Sequence, residues 1–171
     1  SMGKDGYMDY VIKNGTKIEG LSGASDSDVT VTGMVGEYII TVVAVNGNDK
    51  MATETTFTGL KWESIGIGML SSSFFGGEGE CEFYKASPVL KYKAIGPFEE
   101  GYDIVFDVAD NNSVTVAQQA VYSSYGSYGT LYVSGNGALQ SNKITVNLTF
   151  RVSAGVFGAF TETFILPATE P

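Results

Sequence analysis

The chain has 171 residues, a length that allows one large domain or two small ones. Of these residues 43% are apolar, enough to form a hydrophobic core, and there are 22 glycines and only four prolines. Its 19 acidic and ten basic residues give a formal net charge of −9, which repels phosphate backbones, so we expect no nucleic-acid partner. The chain lacks histidine, the usual general base at neutral pH and the usual partner of a nucleophilic Ser or Cys. We therefore expect a protein that is not an enzyme and holds no cofactor.

Residues 1–60 carry the turn and strand signals of one β unit. Asn14-Gly15 is a strong hairpin signal between two strand-like segments. A second turn cluster, over residues 46–49, separates the apolar run 36–45 from a returning strand over residues 52–58. Val, Thr, Tyr, Phe and Ile are abundant in the chain, and these residues suit a pleated, half-buried surface. The composition and the turn spacing therefore predict an all-β fold.

The apolar run that begins at Gly36 follows the pattern G-x-Y-x-I-x-V-x-A-x-N. It resembles the penultimate strand of immunoglobulin-like and fibronectin type III sandwiches, in which a tyrosine, here Tyr38, stands at the corner before that strand. A complete module of this kind takes about 100 residues. The resemblance therefore implies an incomplete immunoglobulin-like β-sandwich over residues 1–60.

The strand over residues 38–45 is apolar on both faces, and an uncovered sheet face is an association hazard. We expect Ile39, Val43 and Val45 to be covered by something outside residues 1–60. The second unit, a second copy of the chain in a homodimer, and residues upstream of this sequence are the three candidates for that cover.

Residues 61–171 predict a second, larger unit, an antiparallel β-sandwich or barrel. The segment 62–68 marks the seam between the two units, and strand-like segments follow near 81–84, 90–95, 102–108, 114–118, 130–134, 143–152 and 159–166. The clearest strand has strict alternation with a period of two. It predicts a core-facing row of Ile144, Val146, Leu148, Phe150 and Val152, with Thr145, Asn147 and Thr149 facing out.

The second unit also resembles a known family over nearly all of its length. The motifs are W-x-x-x-G-x-G from Trp62, Ser73-Phe74-Phe75, Glu82-Phe83-Tyr84-Lys85, residues 92–98, residues 103–107 and the ending 157–164. They are similar to the C-terminal β domain of secreted lipoproteins from Bacteroidetes, which often follows an immunoglobulin-like module. The resemblance implies an extracytoplasmic protein on the outer membrane surface or in the periplasm. We expect membrane association only through a lipid anchor, whose cysteine has no counterpart in this chain.

The most unusual segment is the Tyr/Ser/Gly-rich stretch over residues 121–132. Tyrosine offers a rigid amphipathic ring, and serine and glycine adapt around it, so such a stretch suits binding. The candidate ligand-binding residues are Tyr122, Tyr125 and Tyr128, and the candidate ligands are a glycan or another surface protein. A roughly coplanar, exposed set of rings would favour glycan, whereas tyrosines buried over the core would favour a structural or adhesion module without a small ligand.

The remaining candidate catalytic and metal-binding residues are better explained by structural roles. Glu80 and Glu82 are spaced about 7 Å apart on a strand, which would permit an inverting glycosidase pair, but their glycine-rich surroundings are typical of a solvated stripe. Cys81, between these carboxylates, is expected to be an unreactive strand thiol. The oxygen ligands of residues 26–28 and 107–112 are typical of turns, so we expect no metal site and no catalytic residue.

Overall fold

A computed structural model describes residues 7–13, 16–23, 34–46 and 48–168. The described residues are all-β: every regular element is an antiparallel strand apart from one turn of 3-10 helix at Gly126–Tyr128. The chain divides into two compact units, Ser1–Lys61 and Trp62–Pro171. The boundary predicted from the sequence lies one residue before this division.

The first unit contains one four-stranded antiparallel sheet in the order β2-β1-β3-β4. Its strands are β1 (Tyr7–Lys13), β2 (Thr16–Gly23), β3 (Gly36–Asn46) and β4 (Asp49–Gly59). Tyr38 on β3 is buried, and its hydroxyl accepts a hydrogen bond from the backbone N–H of Val35 at 3.0 Å. The second sheet of the expected sandwich stays a prediction, because the described residues of this unit form one sheet.

The expected cover over the apolar face of β3 also stays a prediction. In the single chain the Ile39 side chain is 44% exposed. The side chains of Val43 and Val45 lie outside the described residues, as do the residues of the predicted Asn14-Gly15 turn. The pairing of Lys13 with Thr16 nevertheless confirms the hairpin that this turn predicts.

The second unit is a closed barrel of eight antiparallel strands, the barrel alternative of the sequence prediction. Its strands are β5 (Lys61–Ser72), β6 (Gly77–Ser87), β7 (Lys91–Ala94), β8 (Ile104–Val108), β9 (Ser113–Tyr122), β10 (Leu131–Gln140), β11 (Lys143–Val152) and β12 (Gly155–Ile165). Each strand pairs with the next along the chain, and β12 returns to β5. Closure removes sheet edges, which are otherwise templates for aggregation.

The barrel interior is filled by the inward-facing side chains of all eight strands. The five β11 residues predicted to face the core are all buried, which confirms that prediction, and β8 alternates in the same way through Ile104, Phe106 and Val108. An eight-stranded barrel is just wide enough for its side chains to fill it. The interior here is accordingly a packed core, apolar except for Ser72 and Glu162.

Two strands depart from the sequence prediction. The sequence predicts no strand over residues 61–72, which form β5, and β10 continues beyond the predicted segment 130–134 to Gln140, through Gly135 and Gly137. A Cβ atom at either of these two glycines would lie 2.0 Å from a carbonyl oxygen of β11, so the strands approach too closely there for any other residue. Among the described residues, no helix is long and apolar enough to cross a membrane.

Candidate functional site: an aromatic end of the barrel

Aromatic side chains gather at the end of the barrel where β5, β7, β9 and β11 finish. All four connections at that end contribute: the β5–β6 turn, the β7–β8 loop, the β9–β10 segment and the β11–β12 hairpin. We call this surface the aromatic end, and its residues are Phe74, Phe75, Phe98, Tyr122, Tyr125, Tyr128, Val156, Phe157 and Phe160. The meander topology explains the gathering, because alternate connections of an up-and-down barrel lie at the same end.

An inner layer of the aromatic end closes the barrel. The Phe74 ring stacks on the buried Phe150 ring, with centroids 4.0 Å apart and planes 5° apart. Phe160 meets Phe74 edge to face at 5.0 Å, and Phe98 meets Phe150 at 5.9 Å. Such contacts add to the free energy gained by burying apolar area. The β5–β6 turn therefore acts as a lid whose Phe74 is part of the core.

The three predicted tyrosines differ in their exposure. Tyr122 and Tyr125 are half-buried and pack against the core, whereas Tyr128 is 52% exposed. The rings of Tyr122 and Tyr125 are inclined at 86°, and Tyr128 meets Phe157 at 84°. The tyrosines therefore form an edge-to-face cluster, which lacks the coplanar platform expected for sugar stacking.

The exposed rim of the aromatic end includes residues that the sequence reasoning missed. Beside Tyr128, the side chains of Phe75, Val156 and Phe157 are 38%, 58% and 39% exposed. In the sequence these residues stand beside turn-forming glycines, in Phe74-Phe75-Gly76-Gly77 and Val156-Phe157-Gly158. Large apolar residues at turns lie outside the core-facing rows of the strands, so this pattern could have indicated an exposed apolar site. Their convergence depends on barrel closure, which no local pattern shows.

Two carboxylates hold the loops of the aromatic end. Glu162 on β12 accepts hydrogen bonds at Oε1 from the backbone N–H groups of Ser73 at 3.2 Å and Phe74 at 3.0 Å. Glu99 in the β7–β8 loop accepts from the backbone N–H of Ser123 and, at 2.9 Å, from its hydroxyl. The lid and the tyrosine segment are therefore each held by a carboxyl group from another element.

Glu162 is the buried member of this pair. Its side chain is fully buried, and Oε2 has no hydrogen-bond partner among the described residues. Burial raises the pKa of Glu162 above its ordinary value, an effect opposed by the hydroxyl of Ser72 and the backbone N–H groups of Phe74 and Ser73. A buried carboxyl with one unpartnered oxygen is costly to ionise.

The other ionisable candidates lie apart from the aromatic end. Cys81 faces the barrel interior, and burial raises the pKa of its thiol to about 11; burial, rather than the neighbouring carboxylates, is the cause. Glu82 accepts a hydrogen bond from the Ser64 hydroxyl at 2.6 Å on the outer wall. Trp62 is half-buried on β5, with the Lys93 ammonium 4.5 Å from its ring centroid. Within the described part of the chain, no three His, Cys, Asp or Glu residues are grouped to hold a metal.

A second concave feature lies on the outer wall, a groove of about 420 Å³ across β10, β11 and β12. Asn136, Asn147 and Thr161 stand side by side across the three strands, because Asn147 is the register partner of both neighbours. Gln140 and Thr145 complete the polar lining. Asn136, Asn147 and Gln140 each bring a carboxamide to this lining, a group that carries both hydrogen-bond donors and acceptors.

Comparisons with protein-family models, curated proteins and solved structures give no match for this chain.

Proposed function

We propose that the protein is a non-catalytic binding module and that the aromatic end is its contact surface for another protein. One observation carries this proposal: four large apolar side chains, those of Phe75, Tyr128, Val156 and Phe157, are exposed at one end of the barrel, next to the ring cluster that closes it. Clustered exposed apolar residues are typical of interaction sites, and aromatic residues are enriched at protein interfaces.

The geometry favours a protein over a glycan at this surface. The exposed rings of Tyr128 and Phe157 meet edge to face, and Val156 adds an aliphatic side chain, whereas a sugar ring needs a flat aromatic face. The adjoining Ser and Gly residues of segment 123–130 suit a paratope-like contact. With a net charge of −9, the protein attracts partners that carry basic residues around an apolar centre.

The proposed setting is the outer membrane surface or the periplasm of a bacterium, with a lipid anchor upstream of this sequence. Support comes from the resemblance of residues 61–171 to the C-terminal β domain of Bacteroidetes lipoproteins. The hydrogen bond from Val35 to the Tyr38 hydroxyl supports an immunoglobulin-like first unit, because a tyrosine corner makes the same type of contact with upstream backbone.

We expect the aromatic end to select basic aromatic peptides from a displayed random peptide library. The double variant Tyr128→Ala/Phe157→Ala should weaken binding of the selected peptides about 30-fold or more, since truncating an interface hot spot costs about 2 kcal/mol or more. Phe57→Ala is the matched control, because Phe57 is an aromatic residue of the first unit with 45% exposure. Selected peptides that bind the double variant as tightly as the unchanged protein would contradict the proposal.

A glycan is the second candidate ligand, and the groove on the outer wall is the observation that favours it. Its lining is uncharged and offers carboxamide and hydroxyl groups, each of which can donate and accept hydrogen bonds. A neutral polyhydroxylated ligand presents the same alternation of donors and acceptors. The groove and the aromatic end are separate surfaces, so the two candidate functions are tested independently.

The test of this second candidate is a glycan array probed with the full chain. Retention of any neutral glycan should be lost in the variant Asn136→Ala/Asn147→Ala, because both carboxamides line the groove. Thr115→Ala is the control, since Thr115 is the register partner of Asn136 on β9 and lies outside the groove. An array on which the unchanged protein retains nothing, or on which the double variant retains the same glycans, would exclude the groove as a glycan site.

A further inference from the structure

The lid is attached to the barrel by side-chain contacts in place of a strand ladder. β12 pairs with β5 over only three residue pairs, which end at Thr163 with Ser71. Beyond that point the Ser73 hydroxyl donates to the carbonyl of Thr161 at 2.7 Å. The two backbone N–H groups that follow are accepted by Glu162 Oε1. The Glu162 carboxyl group therefore takes the place of a continued backbone ladder between β12 and β5.

In the part of the chain that the structure describes, the hydrogen-bond donors to this carboxyl group are neutral. The lid, residues 72–76, contains no ionisable side chain. On β11 the charged residues are Lys143 and Arg151, and both occupy outward positions. The other buried ionisable side chains of the described interior are Cys81 and Tyr92, and burial raises the pKa of both, so both are neutral near pH 7. An ionised Glu162 is therefore a buried charge that only neutral hydrogen-bond donors compensate.

We propose that Glu162 is the positioning residue of the aromatic end, and that its charge state regulates the surface. While the carboxyl group is protonated, the lid stays closed with Phe74 stacked on Phe150. When the carboxyl group ionises, the unpartnered Oε2 requires water, and the lid is released to admit it. The segment that opens and closes is short, because it is only the connection between β5 and β6.

The direction of the pH dependence follows from the raised pKa. Burial raises the pKa of Glu162 above its ordinary value of 4.5, so the closed lid binds the proton more tightly than the released lid does. The stability of the closed state is fully present below the ordinary pKa and is lost as the pH rises through the raised pKa. The lid therefore closes in acid and opens towards neutral and alkaline pH.

The consequence for binding rests on the function proposed above. The lid carries Phe75 as well as Phe74, and Phe75 is one of the four exposed rim residues. Its ring packs on Phe98 at 4.8 Å and on Tyr122 at 5.9 Å, contacts that depend on the closed turn. We therefore expect partners of the aromatic end to bind more weakly as the pH rises.

The decisive measurement is amide hydrogen exchange of Ser73 and Phe74 in the full chain between pH 4 and pH 8, expressed as protection factors. Protection should fall with pH, by about tenfold for each unit by which the pKa of Glu162 in the closed state exceeds that in the released state. Protection of Phe106, in the middle of β8, should stay constant, which shows that the opening is local. The proposal is overturned if the protection of Ser73 and Phe74 does not change with pH.

Two isosteric variants assign the effect to one carboxyl group. Glu162→Gln keeps an oxygen to accept both N–H groups and is neutral, so its protection factors should be independent of pH. Glu99→Gln is the matched control at the second carboxylate of the aromatic end and should keep the pH response of the unchanged protein. A fall in Glu162→Gln equal to that of the unchanged protein would contradict the assignment.

A second readout needs no variant and separates this inference from the proposed function. The ring-current shifts of Phe150 report its stacking with Phe74, and they should titrate together with the protection factors. Selected peptides are then compared at pH 5 and pH 8. If the lid titrates but no peptide binds at either pH, the protein-binding function fails and the role of Glu162 stands. If peptides bind equally at both pH values and the Phe150 shifts stay constant, the role of Glu162 is excluded.

Discussion

Replacing Phe150 with alanine is expected to lower the free energy of unfolding of the barrel by about 3–5 kcal/mol, the usual cost of removing a large aromatic side chain from a core. Phe150 is fully buried at the end of β11. Its ring is stacked under Phe74 and is met edge to face by Phe98 and Phe160. The substitution therefore leaves a cavity and also removes the surface on which the lid rests.

The fluorescence of Trp62 measures this effect in the barrel alone. Trp62 is the single tryptophan of the chain and lies on β5, so denaturant unfolding followed at this residue reports on the second unit. Thr149→Ala is the control on the same strand: Thr149 alternates with the buried residues, and surface substitutions usually change stability by less than about 0.5 kcal/mol. If Phe150→Ala unfolds at the same denaturant concentration as the unchanged protein, Phe150 is not part of the core.

The barrel strands that the sequence predicted well are those in which the side-chain pattern alone determines the structure. In β11 each inward position is a large aliphatic or aromatic residue and each outward position is polar or charged, so the period of two is unambiguous. β5 has no such pattern, because Gly66 and Gly68 interrupt it, and glycine is unfavourable within strands. The reason for Gly68 is tertiary: its neighbour across the sheet, β12, is about 100 residues away in sequence.

Only the part of the candidate site that lies within one continuous stretch of sequence could be predicted. The tyrosine segment was visible as a composition, but its partners Phe75 and Phe157 are brought to it by barrel closure. Glu162 did give a local signal: it occupies the inward position between Phe160 and Phe164 on β12, and a polar residue in an apolar row calls for a partner. The identity of that partner, the backbone of a turn nearly 90 residues earlier, could not be read from the sequence.

Gly68 is expected to be essential for closing the barrel. A Cβ atom at this position would lie 2.2 Å from the carbonyl oxygen of Ile165 and 2.7 Å from Cε2 of Phe83. The first of these is backbone of β12, beside the pair of Met69 with Ile165, so the strand itself would have to move. Because β5 and β12 pair over only three residue pairs, a displacement there threatens the whole seam.

We therefore expect Gly68→Ala to destabilise the barrel by at least about 1–3 kcal/mol, the usual range for overpacking, and to promote association, because an opened seam exposes two unpaired strand edges. Gly79→Ala on β6 is the matched control. A Cβ atom at Gly79 meets no atom within 4 Å, and the same substitution at an unstrained position stabilises by about 0.4–1 kcal/mol through the unfolded chain. Unfolding followed by Trp62 fluorescence, with light scattering for association, should therefore show effects of opposite sign. If both variants shift the unfolding transition in the same direction, the close approach of β5 and β12 at Gly68 does not control closure.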